Sequence, residues 1–197
     1  DSIYYSIDAI HRAIQENKQI SFVYLDWNLK KQLVPRPNGN KCVSPWALIW
    51  RDENYYLAAY DSEAKVIKHY RVDKMTSITT LEQPRLGREE FDPQKMRNYA
   101  KPMFGMFGGP VSRVELRCEN SVIGPMLDRF GTGVTIMPQP DGRFTLYADV
   151  VVSPPFFGWL CGFGGRVELM APADARQQLS QMLETISKAY QTKEPAQ

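Results

Sequence analysis

Residues 43–75, VSPWALIWRDENYYLAAYDSEAKVIKHYRVDKM, constrain the fold more than any other stretch of the chain. Trp46, Leu48 and Trp50 alternate with Ala47 and Ile49, the period of a strand with two different faces. The polar residues 51–54 form a turn, residues 55–60 are a second aromatic strand, and residues 61–63 turn the chain again. Residues 66–72 make a third strand that carries Lys68, His69 and Arg71, with Lys74 just beyond. Lys68, Arg71 and Lys74 recur at every third position, whereas side chains on a strand alternate between faces. They cannot all lie on one exposed face, so at least one base is expected on the concave side of the sheet.

The flanking residues supply the rest of a small domain. Ile3, Ile7, Ile10 and Ile14 recur at helical spacing, which predicts an amphipathic helix over residues 2–17, with His11 packing beside the stripe. Residues 20–24 alternate and predict a first strand, and residues 30–34 a second. Residues 35–40 contain two prolines and Asn38-Gly39, which predict a turn. The β-branched residues 76–81 are expected to close the sheet. A helix followed by short antiparallel strands suggests a small SH3-like (Sm-like) β-barrel, because closure removes exposed edges.

From residue 83 to 110, prolines and glycines predict a linker, with one helix over residues 93–100. The apolar run Phe104-Gly105-Met106-Phe107 is expected to dock against a domain. Residues 111–190 then read strand, helix, strand, strand, helix, strand, with a final helix, and Ser121 is placed as the cap of the first of these helices. That is the βαββαβ order of a ferredoxin-like fold. The expected class is α+β: a helix plus barrel over residues 1–82, the linker, the ferredoxin-like domain over 111–190, and a tail over 191–197.

The first of these stretches resembles the WYL family, named for a Trp-Tyr-Leu triplet. The family pattern places a proline and leucine on one strand, the triplet on the next, and then an aromatic-Arg-x-Asp-Arg-x ending. Pro45 and Leu48, Tyr55-Tyr56-Leu57, and Tyr70-Arg71-Val72-Asp73-Lys74-Met75 correspond here. Tyr55 stands where the triplet has Trp, and Lys74 where the family has a second Arg, which keeps the charge but loses the planar bidentate fork. Residues 111–190 resemble the WCX extension that follows WYL domains, with Phe130-Gly131 and Phe163-Gly164 as its helix-ending pairs. The resemblance implies a bacterial transcription regulator whose WYL barrel binds a negatively charged effector. Relatives carry an N-terminal helix-turn-helix that reads DNA. No such segment precedes Ser2 in this sequence.

Composition narrows the alternatives. Lys and Arg total 24 against 22 Asp and Glu, a net charge of +2, too balanced for a stand-alone binder of duplex DNA. Lys30, Lys31, Arg36, Lys41 and Arg51 nevertheless follow one another with no acid between Asp26 and Asp52, as either a solvated loop or an anion-binding rim. No apolar run reaches the roughly eighteen residues of a membrane span. The 3 cysteines are odd in number and well separated, and the 2 histidines are too few for a His-based metal site, so no metal, no cofactor and a cytoplasmic location are expected. No Walker, zincin, nucleophile-elbow or dinucleotide motif is present, and no enzyme activity is expected.

A binding site remains. Tyr24, Trp46 and Tyr60 offer stacking or hydroxyl groups on the predicted barrel. Ser44, Lys68, His69, Arg71 and Lys74 offer hydrogen bonds and charge. Aromatics that stack bases beside cations that hold phosphates suit a nucleotide or a short single strand. On the family pattern, Ser44, Tyr60, Arg71 and Lys74 match the pocket positions. Two plainer readings stand beside this one: Trp46 as core, and Arg71 paired with Asp73 or Asp61. The expectation is an effector-sensing, homodimeric portion of a regulator. The alternatives are a free-standing nucleic-acid-binding accessory domain and a purely oligomerising module.

Overall fold

The isoleucine stripe does fold as a helix, α1 (Ile3–Gln15), and buries Ile10 and Ala13 completely. The computed structural model describes residues 3–91 and 98–191, and the chain divides after Ala100 into two units. In the first unit α1 is followed by β1 (Lys18–Trp27), β2 (Leu33–Arg51), β3 (Asn54–Asp61) and β4 (Val66–Arg71). A 3₁₀ turn over Val72–Lys74 leads to β5 (Met75–Pro84). The five strands are ordered β4-β3-β2-β1-β5, every neighbouring pair antiparallel. This is an SH3-like meander, with β5 returned to the far side of β1. The edges β4 and β5 are joined by the 3₁₀ turn rather than by a ladder. Alternation on β1 buries Ile20, Phe22 and Tyr24 against Leu57, Tyr70, Val72 and α1, and this is the core of the unit.

His11 lies exposed on the outer side of α1 rather than packed, beside Tyr4, Tyr5 and Asp8. The separate strand at 30–34 and the turn at 35–40 are also not found. The hairpin turn sits earlier, where Asn28 Oδ1 accepts from the amides of Lys30 (2.9 Å) and Gln32 (3.0 Å). Residues 35–40 lie within the long β2 as a bulge. Val23 pairs with Asn40 and Leu25 with Pro35, so residues 36–39 face the single residue Tyr24. Two prolines fit there because this half of β2 is paired on one side only, β3 joining it from Ser44 onward. A Cβ on Gly39 would stand 2.7 Å from the carbonyl oxygens of Arg36 and Tyr24, so the backbones meet there only because it is glycine.

The second unit contains β6 (Val111–Glu119), α2 (Ile123–Phe130), β7 (Thr135–Pro138), β8 (Arg143–Val151), α3 (Pro154–Cys161), β9 (Val167–Ala171) and α4 (Ala173–Tyr190). Its sheet is ordered β7-β8-β6-β9 and is antiparallel throughout, the split βαβ arrangement of a ferredoxin-like fold. Val114, Leu116, Leu146 and Val150 fill its core with Met126, Phe156 and Leu160 from the helices. Phe104 joins that core, its ring 5.1 Å from Phe156 and 5.2 Å from Trp159. Ser121 does not cap α2: a 3₁₀ turn over Asn120–Val122 intervenes, and the Ser121 hydroxyl reaches Glu119 instead. Ser153 is the capping serine, its Oγ accepting from the Phe156 amide at the start of α3. The helix predicted over residues 93–100 falls largely outside the described residues.

Candidate functional site

The register of β3 and β4 decides which of the predicted residues share a face. Tyr56 pairs with Arg71, Ala58 with His69 and Tyr60 with Ile67, and Ser44 of β2 pairs with Tyr60. Ser44, Tyr60, His69 and Arg71 therefore lie on one face of this half-sheet, opposite the core-facing Leu57 and Tyr70. Lys68 is on the other face, beside the buried Ala59. Its Nζ sits 2.5 Å from Asp61 Oδ2, which holds the Asp61 carboxyl below its usual range. Lys68 is thus committed to an edge ion pair.

Arg71 and Tyr24 meet at the end of β4. The Tyr24 ring is buried in the core, yet its hydroxyl reaches far enough to accept from the Arg71 amide at 3.1 Å. The Arg71 guanidinium forks onto Asp73, Nε to Oδ1 at 3.0 Å and Nη2 to Oδ2 at 2.7 Å, and its pKa rises because of that pairing. Arg36 lies 5.1 Å from the Tyr24 ring centroid and donates to Asp26 Oδ2 at 3.0 Å. Lys74 is 3.9 Å from the same Asp26 carboxylate. Arg36, Arg71 and Lys74 thus gather around Tyr24 with Asp26 and Asp73 as their counter-charges. Arg36 was visible in sequence only as part of a basic run. The bulge in β2 is what carries it here.

The remaining predicted residues meet a different partner, the segment that follows β5. Ser44 is buried, and its Oγ accepts from the Leu86 amide at 2.8 Å. Trp46 Nε1 donates to the Leu86 carbonyl at 2.8 Å. Its ring stacks on Phe91 at 5.7 Å and 17°, and the Arg85 guanidinium lies 4.0 Å over it. Gly87, at φ +83°, rests on the Tyr60 ring so closely that a Cβ would be 2.2 Å from Tyr60 Cγ. His69 Nε2 is 2.9 Å from the Tyr99 hydroxyl, whose own ionisation burial pushes up to about 12. No pattern in residues 83–91 announced these contacts, since the segment reads as proline- and glycine-marked linker.

Among the described residues no cluster of His, Cys, Asp and Glu is arranged to hold a metal ion, and no helix is long and apolar enough to cross a membrane.

A helix-backed SH3-like sheet with a cationic, aromatic face, followed by a ferredoxin-like unit, defines a two-domain α+β protein. The chain carries a WYL domain over residues 6–80 and a WCX domain over residues 110–187. No enzyme family is indicated by these matches. Among solved structures, a crystal structure of a CRISPR Cas-related protein shares the fold, at TM-score 0.51 and 15% identity, covering 95% of this chain and 52% of that one. Proteasome accessory factor B/C (PafBC) of Arthrobacter aurescens is similar at 20% identity over 96% of this chain and 28% of that one, with TM-score 0.38. The chain therefore spans about half or less of the length of these two proteins. No curated protein matches.

Proposed function

We propose that the chain is the effector-sensing portion of a transcription regulator, and that its WYL barrel binds a negatively charged ligand, a nucleotide or a short single strand. The observation that carries this reading is the gathering of Arg36, Arg71 and Lys74 around Tyr24, three cations sharing two carboxylates. An arriving phosphate replaces Asp73 on the Arg71 fork without a desolvation penalty on a lone cation, because the Arg71 side chain is still 36% exposed. Tyr24 holds the Arg71 backbone while this exchange happens. His69 and Tyr56, on the same face as Arg71, complete the polar lining, while Lys68 stays on the opposite face paired with Asp61. A ligand that prefers one state of the barrel shifts the population of the whole regulator, and the DNA-reading and dimer contacts respond to that shift.

The test is fluorescence anisotropy of a fluorescein-labelled pentathymidylate and, separately, competition by ATP, across a salt series. Arg71→Ala removes a charge-assisted hydrogen bond worth about 1.5–3 kcal/mol, so affinity falls roughly tenfold to a hundredfold. Equal binding by wild type and Arg71→Ala overturns the reading. A steep salt slope for the oligonucleotide with no competition by ATP favours the free-standing nucleic-acid-binding module instead.

A further inference from the structure

The segment after β5 touches the candidate site in an unusual way. Leu86 contributes little through its side chain, which is 48% exposed. It is held by its peptide groups, the amide on Ser44 Oγ and the carbonyl on Trp46 Nε1. On either side, Arg85 and Phe91 offer a cation and a ring to Trp46, and Gly87 lies flat on Tyr60. A donor, an acceptor, a stacked ring and a cation are the groups by which a heteroaromatic ligand would engage the same side chains. The Arg85 guanidinium donates only to neutral acceptors among the described residues, Asn17 Oδ1 and the Pro45 carbonyl, each at 3.1 Å. With Arg88 close by, desolvation and like-charge repulsion lower its pKa. The segment is therefore anchored by polar contacts and by the buried, stacked Phe91 ring, and it carries Arg85 and Arg88 together with Glu89 and Glu90.

We propose that residues 85–91 form a detachable strap that occupies the Ser44–Trp46–Tyr60 side of the site in cis and opens without unfolding the barrel. This deepens the sensing reading, and its second half rests on that reading: an anionic ligand with a planar group competes with the strap and draws Arg85 and Arg88 with it. The strap sets the threshold for binding, because the binding-competent state exists only in the fraction of molecules with the strap open.

Two measurements on the whole chain separate the strap from the ligand. In amide exchange without ligand, Leu86 is expected to exchange about a hundredfold faster than the β3 amide of Leu57, by local opening. Exchange of both in one common unfolding event overturns the strap, whatever binds. In the second measurement, Gly87→Ala forces a side chain against Tyr60, and the same labelled pentathymidylate is expected to bind several-fold tighter than to wild type. Phe91→Ala, which removes the stacked ring, is expected to act in the same direction and stands in should Gly87→Ala not fold. Loss of binding in Arg71→Ala with no gain in either strap variant sinks the competition and leaves the sensing reading standing. Independent opening of Leu86 with no binding to any variant leaves a detachable strap and removes the sensing reading.

Discussion

Tyr24 and Tyr70 sit side by side in the barrel core, edge to face at 5.2 Å, and both pack on Phe22. The same chemical change, Tyr to Phe, is expected to have opposite effects at the two positions. The Tyr24 hydroxyl accepts from the Arg71 amide. Its removal forfeits a neutral hydrogen bond worth about 0.5–1.5 kcal/mol. The Tyr70 hydroxyl is buried without a partner among the described residues, so its removal relieves a desolvation penalty of about 1–3 kcal/mol. Urea denaturation of the whole chain, followed by tyrosine and tryptophan fluorescence, is expected to place the two variants about 1.5–4.5 kcal/mol apart on either side of wild type, with unchanged slope. A second readout is pH. Burial raises the Tyr70 hydroxyl from 10.0 to about 12, so the folded state keeps that proton longer than the unfolded state. Ionisation of this hydroxyl leaves stability unchanged below pH 10 and lowers it as pH climbs toward 12, because the unfolded state gives up the proton first, a limb that Tyr70→Phe lacks. Destabilisation of Tyr70→Phe by as much as Tyr24→Phe refutes the reasoning.

Other outcomes follow from single contacts. Cys118 is fully buried, and burial pushes its thiol up to about 11, whereas Cys42 and Cys161 are exposed. Titration with a thiol reagent under native conditions should count Cys42 and Cys161 and reach Cys118 only after denaturation. Ser153→Ala is expected to cost about 1 kcal/mol through loss of the α3 cap, while Ser121→Ala is expected to be nearly neutral in the same urea assay. The Asp61 carboxyl is lowered below 3.8 chiefly by Lys68, so the pair stabilises the fold above that pH and is lost as pH falls through the lowered value. The gap in urea midpoint between wild type and Asp61→Asn should therefore narrow on acidification. An unchanged gap would place the effect of Asp61 elsewhere, in its turn contacts to the Glu63 and Ala64 amides.

Period-based reasoning found every strand whose two faces differ. β1 and β6 alternate cleanly, whereas β3 buries Leu57, Ala58 and Ala59 in succession and was legible from its aromatic run and flanking turns. The order of strands and helices in the second unit was readable because its turns carry Gly131, Pro140, Asp141 and Gly142. It failed where a local signal competes with pairing. Pro35, Pro37 and Asn38-Gly39 look like a hairpin turn by composition, and only the unpaired edge of β2 lets them continue as a bulged strand. Ser121 resembles a cap in the same way, but Asn120 already begins a 3₁₀ turn. The candidate site was half legible. The one-sided placement of Ser44, Tyr60, His69 and Arg71 follows from alternation once the strands are registered. Bulges and long-range contacts hid the rest. Arg36 arrives through the β2 bulge, and Leu86 and Phe91 come from a stretch with neither helical nor strand period.

The nineteen residues of β2 belong to two ladders in turn, the first bound to β1 up to Val43 and the second to β3 from Ser44, with a slip in register at Pro45–Ala47 just inside the second. One backbone is thus the seam of the whole barrel. A cut within that slip would sever both halves at once, so a protease attacking there should abolish cooperative melting of the N-terminal unit rather than trim it. Torque applied at one end of this strand meets two irregularities, the bulge at residues 36–39 and that slip, before it reaches the other.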